Sequence, residues 1–254
     1  MALNFSVLLT RPEPVLGKSE ALFHSFGIDV VKEPLMEIIP VNSFDLPLEP
    51  YQAILTTSSM AIRAFAKLNS ERSIPLWCVG EVSKQTALEL GFRNVYAPTD
   101  HEQNAHGLIA TIKERLNFDR SPLLYIRGDH IQTDLKGILN SFGCIVDSMI
   151  VYKSKARESF SNQARDFLFG KSKCSLRGIT FFSLRTVDIF LKLCKKEPAL
   201  LQYERFIALS LSAAISKELE KLPWVKIITA STVTQLIVNV RKIVREDDVN
   251  DNHS

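Results

Sequence analysis

Short apolar runs, rich in β-branched and aromatic residues, alternate along this chain with longer runs whose apolar positions recur every three or four residues. The short runs predict strands at about 5–10, 28–31, 52–57, 76–79, 94–97, 122–126, 145–152, 178–182, 206–209 and 225–229. Near-continuous apolar strands of this kind suit parallel sheets covered on both faces. The periodic runs predict helices through Ala105, Leu108, Ile109, Ile112 and Leu116, through Ile131, Leu135, Ile138, Leu139 and Phe142, and through Val233, Leu236, Ile237, Val240, Ile243 and Val244. Strand and helix in alternation predict an α/β fold, wound by right-handed crossovers into small parallel sheets whose ligands bind beyond the carboxyl ends of the strands.

The pattern repeats itself. Leu8-Leu9-Thr10-Arg11 has a counterpart in Leu124-Tyr125-Ile126-Arg127, and Ser25-Phe26-Gly27 in Ser141-Phe142-Gly143, both at an offset of 116 (127 − 11 and 141 − 25). A second pair, Ile54-Leu55-Thr56-Thr57-Ser58 with Phe65 and Ile179-Thr180-Phe181-Phe182-Ser183 with Phe190, shares an offset of 125 (183 − 58). Two similar halves in 254 residues predict two domains of ordinary size. Segments 34–41 and 149–155 are apolar, extended and equivalently placed, so the chain is expected to cross between domains there. The polar stretch 246–254 has no periodicity and reads as a disordered tail.

Composition narrows the function classes. A formal net charge of +3 is too small for a nucleic-acid footprint but permits an anionic ligand. The basic segment 153–177 reads as a solvated linker helix. The first apolar run is too short and too poor in flanking basic residues for a signal core, and no run of about 18 apolar residues follows, so a cytoplasmic protein without a membrane partner is expected. Cys78, Cys144, Cys174 and Cys194 form no CxxC pair and read as reduced core residues. The five histidines show no metal-ligand spacing, so no metal is expected. GxGxxG, GxxxxGK[ST] and GxSxG are all absent, which removes the usual signatures of dinucleotides, nucleoside triphosphates and serine hydrolysis.

The candidate chemistry lies in strand-to-helix turns. Thr56-Thr57-Ser58-Ser59 offers hydroxyls that can cap a helix and backbone N–H groups that can hold an anion, and Ser183 is the equivalent residue in the other half. Gly80, within Cys78-Val79-Gly80-Glu81-Val82-Ser83, permits close approach of a ligand to the backbone. Arg11 and Arg127, the latter followed by Gly128, end strands at the ligand edge and suit carboxylates. Tyr152 ends an apolar strand at a proposed crossing and suits a hydrogen-bond donor or weak general acid.

Several of these pieces, in this order and spacing, resemble the uroporphyrinogen-III synthase family: Val7 to Pro12, Pro34-Leu35 with Glu37-Ile38, Ile54 to Ser58, Val79-Gly80-Glu81, Asn104-Ala105 with Leu108, and Val151-Tyr152. The resemblance implies a monomer of two flavodoxin-like domains joined by a two-stranded connector, with an interdomain cleft. Residues 1–36 with 154–245 would form one domain and 40–150 the other. It implies cyclisation of hydroxymethylbilane, a linear tetrapyrrole with eight carboxylates, to uroporphyrinogen III, with loss of water and inversion of the last ring through a spiro intermediate. No cofactor is implied, and transient hand-over from hydroxymethylbilane synthase is the implied partnership. Tyr152 matches the tyrosine that assists loss of the hydroxyl. Ser58, Ser183 and Ser83 match ligand hydroxyls, and Arg205 a basic position. The family's Gly-x-x-Thr turn stands here as Ser210-Leu211-Ser212-Ala213, where Ser212 can substitute for the hydroxyl that Ala213 lacks. A non-catalytic two-domain protein that closes on an anionic small molecule is the competing reading.

Overall fold

The computed structural model describes residues 5–41, 47–98, 103–116, 121–168, 176–197 and 203–251, with 245–251 as backbone alone. In chain order the first elements are β1 (Phe5–Leu9), α1 (Glu13–Ser25), β2 (Asp29–Lys32), β3 (Met36–Pro40), β4 (Ala53–Thr56), α2 (Ser59–Leu68), β5 (Leu76–Cys78), α3 (Glu81–Glu89), β6 (Val95–Tyr96) and α4 (Ala105–Arg115). Then follow β7 (Leu123–Gly128), α5 (Leu135–Ser141), β8 (Val146–Ala156), α6 (Asn162–Leu168), β9 (Leu176–Phe181), α7 (Leu184–Lys196), β10 (Phe206–Ser210), α8 (Ala213–Leu219), β11 (Lys226–Thr229) and α9 (Val233–Asp251). They divide into two units, Met1–Glu37 with Lys155–Ser254, and Ile38–Ser154.

The first unit holds a five-stranded sheet in the order β11-β10-β9-β1-β2, parallel throughout. Counted along the unit's own strands this is 2-1-3-4-5, and the winding reverses between β1 and β9. Because successive side chains of a strand point to opposite faces, one sheet fills two cores. Leu8, Ile179, Phe181 and Ala208 pack with residues of α6, α7 and α8, whereas Phe5, Val7, Leu9, Ile207 and Leu209 pack with residues of α1 and α9.

The second unit's sheet runs β3-β8-β7-β4-β5-β6. Its strands from β4 to β8 pair in parallel, and the winding reverses between β7 and β4. Ile54, Leu76, Leu124 and Ile126 meet residues of α2 and α3 on one face, while Leu55, Trp77, Leu123 and Tyr125 meet residues of α4 and α5 on the other. β3 is the exception in direction. Arg157 N donates to Leu35 O and Val41 N to Val151 O, partners whose numbers rise on one strand as they fall on the other, so β3 runs antiparallel to β8.

The repeats map onto equivalent structure. Both SFG triplets end a helix at a glycine in the left-handed region, Gly27 at φ 74° and Gly143 at φ 84°. Ile28 N returns to Phe23 O and Cys144 N to Leu139 O, closing each helix end with the six-residue bond that such a glycine permits.

Three expectations change. The helix sought from Ile131 begins only at Leu135, because the Asp134 carboxylate caps it by accepting from Gly137 N at 2.9 Å, and Ile131 and Phe142 are exposed. Segment 153–177 is no single helix: it divides into the end of β8, α6 and the start of β9, with 169–175 outside the described residues. α9 continues as backbone to Asp251 through much of the stretch read as a tail; 252–254 lie outside the described residues. Cys78, Cys144 and Cys194 are free and buried, and burial pushes the Cys78 thiol up to about 11 and Cys194 to about 12, as expected of core thiols. Cys174 falls outside the described residues.

Candidate functional site

In open α/β sheets a ligand lies beyond the carboxyl ends of the strands, where the winding reverses. In the second unit that place is occupied by the turns after β4 and β7. Thr56 Oγ1 accepts from Ser58 N at 3.1 Å and donates to Ser58 O at 3.3 Å, which ties the first turn to the strand end. Ser58 Oγ caps α2 by accepting from Ala61 N at 3.4 Å, and Ser59 opens that helix.

Tyr152 reaches the same turn from β8. Its phenol oxygen lies 3.2 Å from Ser58 Oγ. Two local features put it there. The register of β8 on β7 slips between Arg127, opposite Ile150, and Gly128, opposite Tyr152, and a one-residue slip transposes the faces that later side chains occupy. Gly128 then leaves room: a methyl group on its Cα would stand 2.5 Å from Tyr152 Cζ. Beside it Asp129 N donates to Tyr152 O at 3.1 Å, and Asp129 Oδ1 accepts from both N and Oγ of Ser154 at 3.1 Å. The backbone on both sides of the phenol is thus held.

Tyr125 belongs to this cluster although the sequence does not single it out. Its hydroxyl lies 3.3 Å from Thr57 Oγ1. Tyr125 reads as one more apolar residue of a core strand, and only its pairing with Leu55 shows how close it lies to the turn. Further along the edge, Gln103 Oε1 accepts from Glu81 N at 3.2 Å and lies where a methyl group on Gly80 would stand, 2.6 Å away. Asn104 Oδ1 caps α4 by accepting from His106 N at 2.9 Å and Gly107 N at 3.0 Å.

The remaining second-unit candidates are placed less openly. Arg127 donates from Nε to Ser148 Oγ at 2.7 Å and from Nη1 to Gly128 O at 2.9 Å, so its guanidinium braces the β7–β8 edge. Ser83 is buried on the inner side of α3, and its N–H donates to Gly80 O at 3.1 Å.

In the first unit the reversal point lies between the turns after β1 and β9. Arg11 follows β1, donates to Ser19 Oγ at 2.9 Å and stacks 4.5 Å above the ring of Phe182, and burial lowers its pKa from the usual range. Ser183 follows β9 and caps α7, its Oγ accepting from Thr186 N at 3.1 Å and lying 2.8 Å from Thr186 Oγ1. Ser212 is the exposed cap of α8 and accepts from Ile215 N at 3.3 Å. Ser210, in the place of a glycine, is fully buried with its hydroxyl 2.6 Å from Ser216 Oγ. Arg205 is not among these groups: it ends a short 3₁₀ turn directly before β10, at the amino edge of the sheet.

Among the described residues no three histidine, cysteine, aspartate or glutamate side chains are grouped to hold a metal, and no helix is long and apolar enough to cross a membrane. His101 and His253 lie outside those residues.

Each unit thus carries serine caps at helix starts on the carboxyl side of its own sheet, groups of a kind that suits anions. Comparison with known proteins agrees with the architecture. The fold is similar to that of uroporphyrinogen-III synthetase from Helicobacter pylori 26695, at 17% identity and a TM-score of 0.62, over 96% of this chain and 100% of that one. It is also similar to a mutant uroporphyrinogen III synthase from the extremely thermophilic bacterium Thermus thermophilus, at 12% identity and a TM-score of 0.57, over 95% of this chain and 99% of that one. A search of curated protein sequences returns no significant match. The family profile of uroporphyrinogen-III synthase HemD, in contrast, matches residues 18–236, most of the chain. The chain therefore belongs to the uroporphyrinogen-III synthase family.

Proposed function

We propose that this chain cyclises hydroxymethylbilane to uroporphyrinogen III, losing water and inverting ring D through a spiro intermediate, with Tyr152 assisting departure of the hydroxyl. The observation that carries the residue assignment is the 3.2 Å contact of the Tyr152 phenol with Ser58 Oγ at the winding reversal. As the carbon–oxygen bond breaks, the leaving oxygen takes a proton from the phenol, and the positive charge left behind spreads into the terminal pyrrole. Ser58 orients the phenol, and its hydroxyl can donate to the phenolate oxygen that forms. Ring closure then needs the two ends of the chain held in register, so conformational control counts for more than a nucleophile.

The substrate's carboxylates would be met by the capping hydroxyls and backbone N–H groups at Ser58, Ser59, Ser183 and Ser212, by Arg11, and by the backbone at Gly80 and Gly128. Arg127, Ser83 and Arg205 are the weaker assignments, the first two for being engaged or buried and the third for its edge. We read the protein as a cytoplasmic monomer that takes up its substrate from hydroxymethylbilane synthase without a cofactor.

The test is to mix the protein with freshly generated hydroxymethylbilane, oxidise the products and separate the type I and type III uroporphyrins. An excess of type III over the enzyme-free control is expected. Type I alone, from folded protein, would refute the reading. Tyr152→Phe should slow formation of type III about 100-fold, within the usual range for loss of a general acid, while product affinity is preserved.

A further inference from the structure

Tyr125 is almost wholly buried on β7, in the core face that also holds Leu55. A phenylalanine would fill that space equally well, so packing does not account for the hydroxyl. What the hydroxyl does is reach Thr57. In the parallel register Tyr125 lies opposite Leu55, and Thr57, two residues further on, shares Leu55's side of the strand. The phenol therefore runs up the sheet to the first residue past the strand end and meets Thr57 Oγ1 at 3.3 Å. The next residue is Ser58, whose Oγ lies 3.2 Å from Tyr152 Oη. Two tyrosines, one from within the core and one from β8, thus hold adjacent residues of a single turn.

We infer that Tyr125 is a positioning residue for the reaction: through Thr57 it fixes the strand-to-helix turn that presents Ser58 to Tyr152. Thr56 secures the same turn through Ser58 N and O, but from the other side of the strand. With Thr57 held by Tyr125 and the backbone of Ser58 held by Thr56, the direction of Ser58 Oγ is set by the sheet as well as by α2. Burial raises the pKa of Tyr125 above that of a free phenol, which favours the protonated hydroxyl that meets Thr57.

The inference rests on the cyclase reading and is tested with it. Tyr125→Phe and Thr57→Val each remove the contact from one side. Both should lower kcat about tenfold, the order expected for one lost orienting hydrogen bond, and leave KM within about twofold. In a Ser58→Ala background the further loss from Tyr125→Phe should vanish, because the group it positions is gone. An unchanged kcat in folded Tyr125→Phe, or an equal loss in both backgrounds, would overturn the inference while leaving the cyclase reading intact. Should Tyr125→Phe not fold, Thr57→Val alone and in the Ser58→Ala background decides the matter by the same outcomes. A wild-type protein that makes no type III isomer would overturn both.

Discussion

A missing methyl group decides where the Tyr152 phenol lies. Gly128 is not in the left-handed region, so its backbone would accept any residue, and the constraint is one of space alone. With Cβ at 2.5 Å from Tyr152 Cζ and 2.7 Å from its hydroxyl oxygen, an alanine must push the ring aside, and a displacement of that size ends a contact of 3.2 Å with Ser58. The ring is only half-buried and can yield towards solvent, so the fold loses little. Gly128→Ala should therefore lower kcat at least tenfold with a Tm within a few degrees of wild type, as read by steady-state kinetics and thermal unfolding. A large fall in Tm with kcat retained would mean that the glycine serves packing rather than placement. At this scale Tyr152, Ser58 and Gly128 were legible in the sequence because each stands at the end of an apolar run, where a polar or small residue has no core role. Tyr125 was not, since inside Leu124-Tyr125-Ile126 a tyrosine is indistinguishable from packing until its strand partner is known.

The same hydroxyl at a helix start can serve the helix or a ligand, and in this structure the caps serve the helix. Ser58, Ser183 and Ser212 each accept from the N–H three residues on, which satisfies one of the orphan donors of the first turn and is worth about 1 kcal/mol. Capping alone would be met equally well by aspartate, whereas a polycarboxylate ligand would be repelled by it. Ser183→Asp should hence leave thermal stability within about 0.5 kcal/mol of wild type while raising KM for hydroxymethylbilane about tenfold or more. Unchanged KM would confine Ser183 to its structural role. Legibility at the element scale followed the strength of the local signal. The strands were apparent because their apolar runs are bounded by turn residues, and α4 and α9 because their periodicity extends over three turns or more. The start of α5 was misjudged because Ile131 keeps helical spacing while Asp134, three residues later, offers the stronger cap.

At the scale of the whole molecule, order along the chain and order in the sheets differ in one consistent way. β1, α1 and β2 correspond to β7, α5 and β8 at the offset of 116, and β9 with α7 corresponds to β4 with α2 at the offset of 125. The two kinds of segment alternate, first-unit, second-unit, second-unit, first-unit, so the second unit is a circularly permuted counterpart inserted into the first. The repeats were visible in the sequence because equivalent turns need equivalent residues, such as Gly27 and Gly143 where φ is positive. The side-chain contacts at the candidate site were not, because they join residues as far apart as Ser58 and Tyr152. Each unit covers both faces of its own sheet with its own helices, which makes its core self-contained. Leu55, fully buried in β4, is a direct probe of that property. Leu55→Ala should cost the second unit about 2–5 kcal/mol through lost burial and the cavity left behind. If the units open separately, native-state hydrogen exchange will show amides of β4, β5 and β7 losing protection by that amount while those of β1, β9 and β10 keep theirs. Equal loss across both sheets would instead show that the permuted insertion unfolds with the rest of the chain as one cooperative unit.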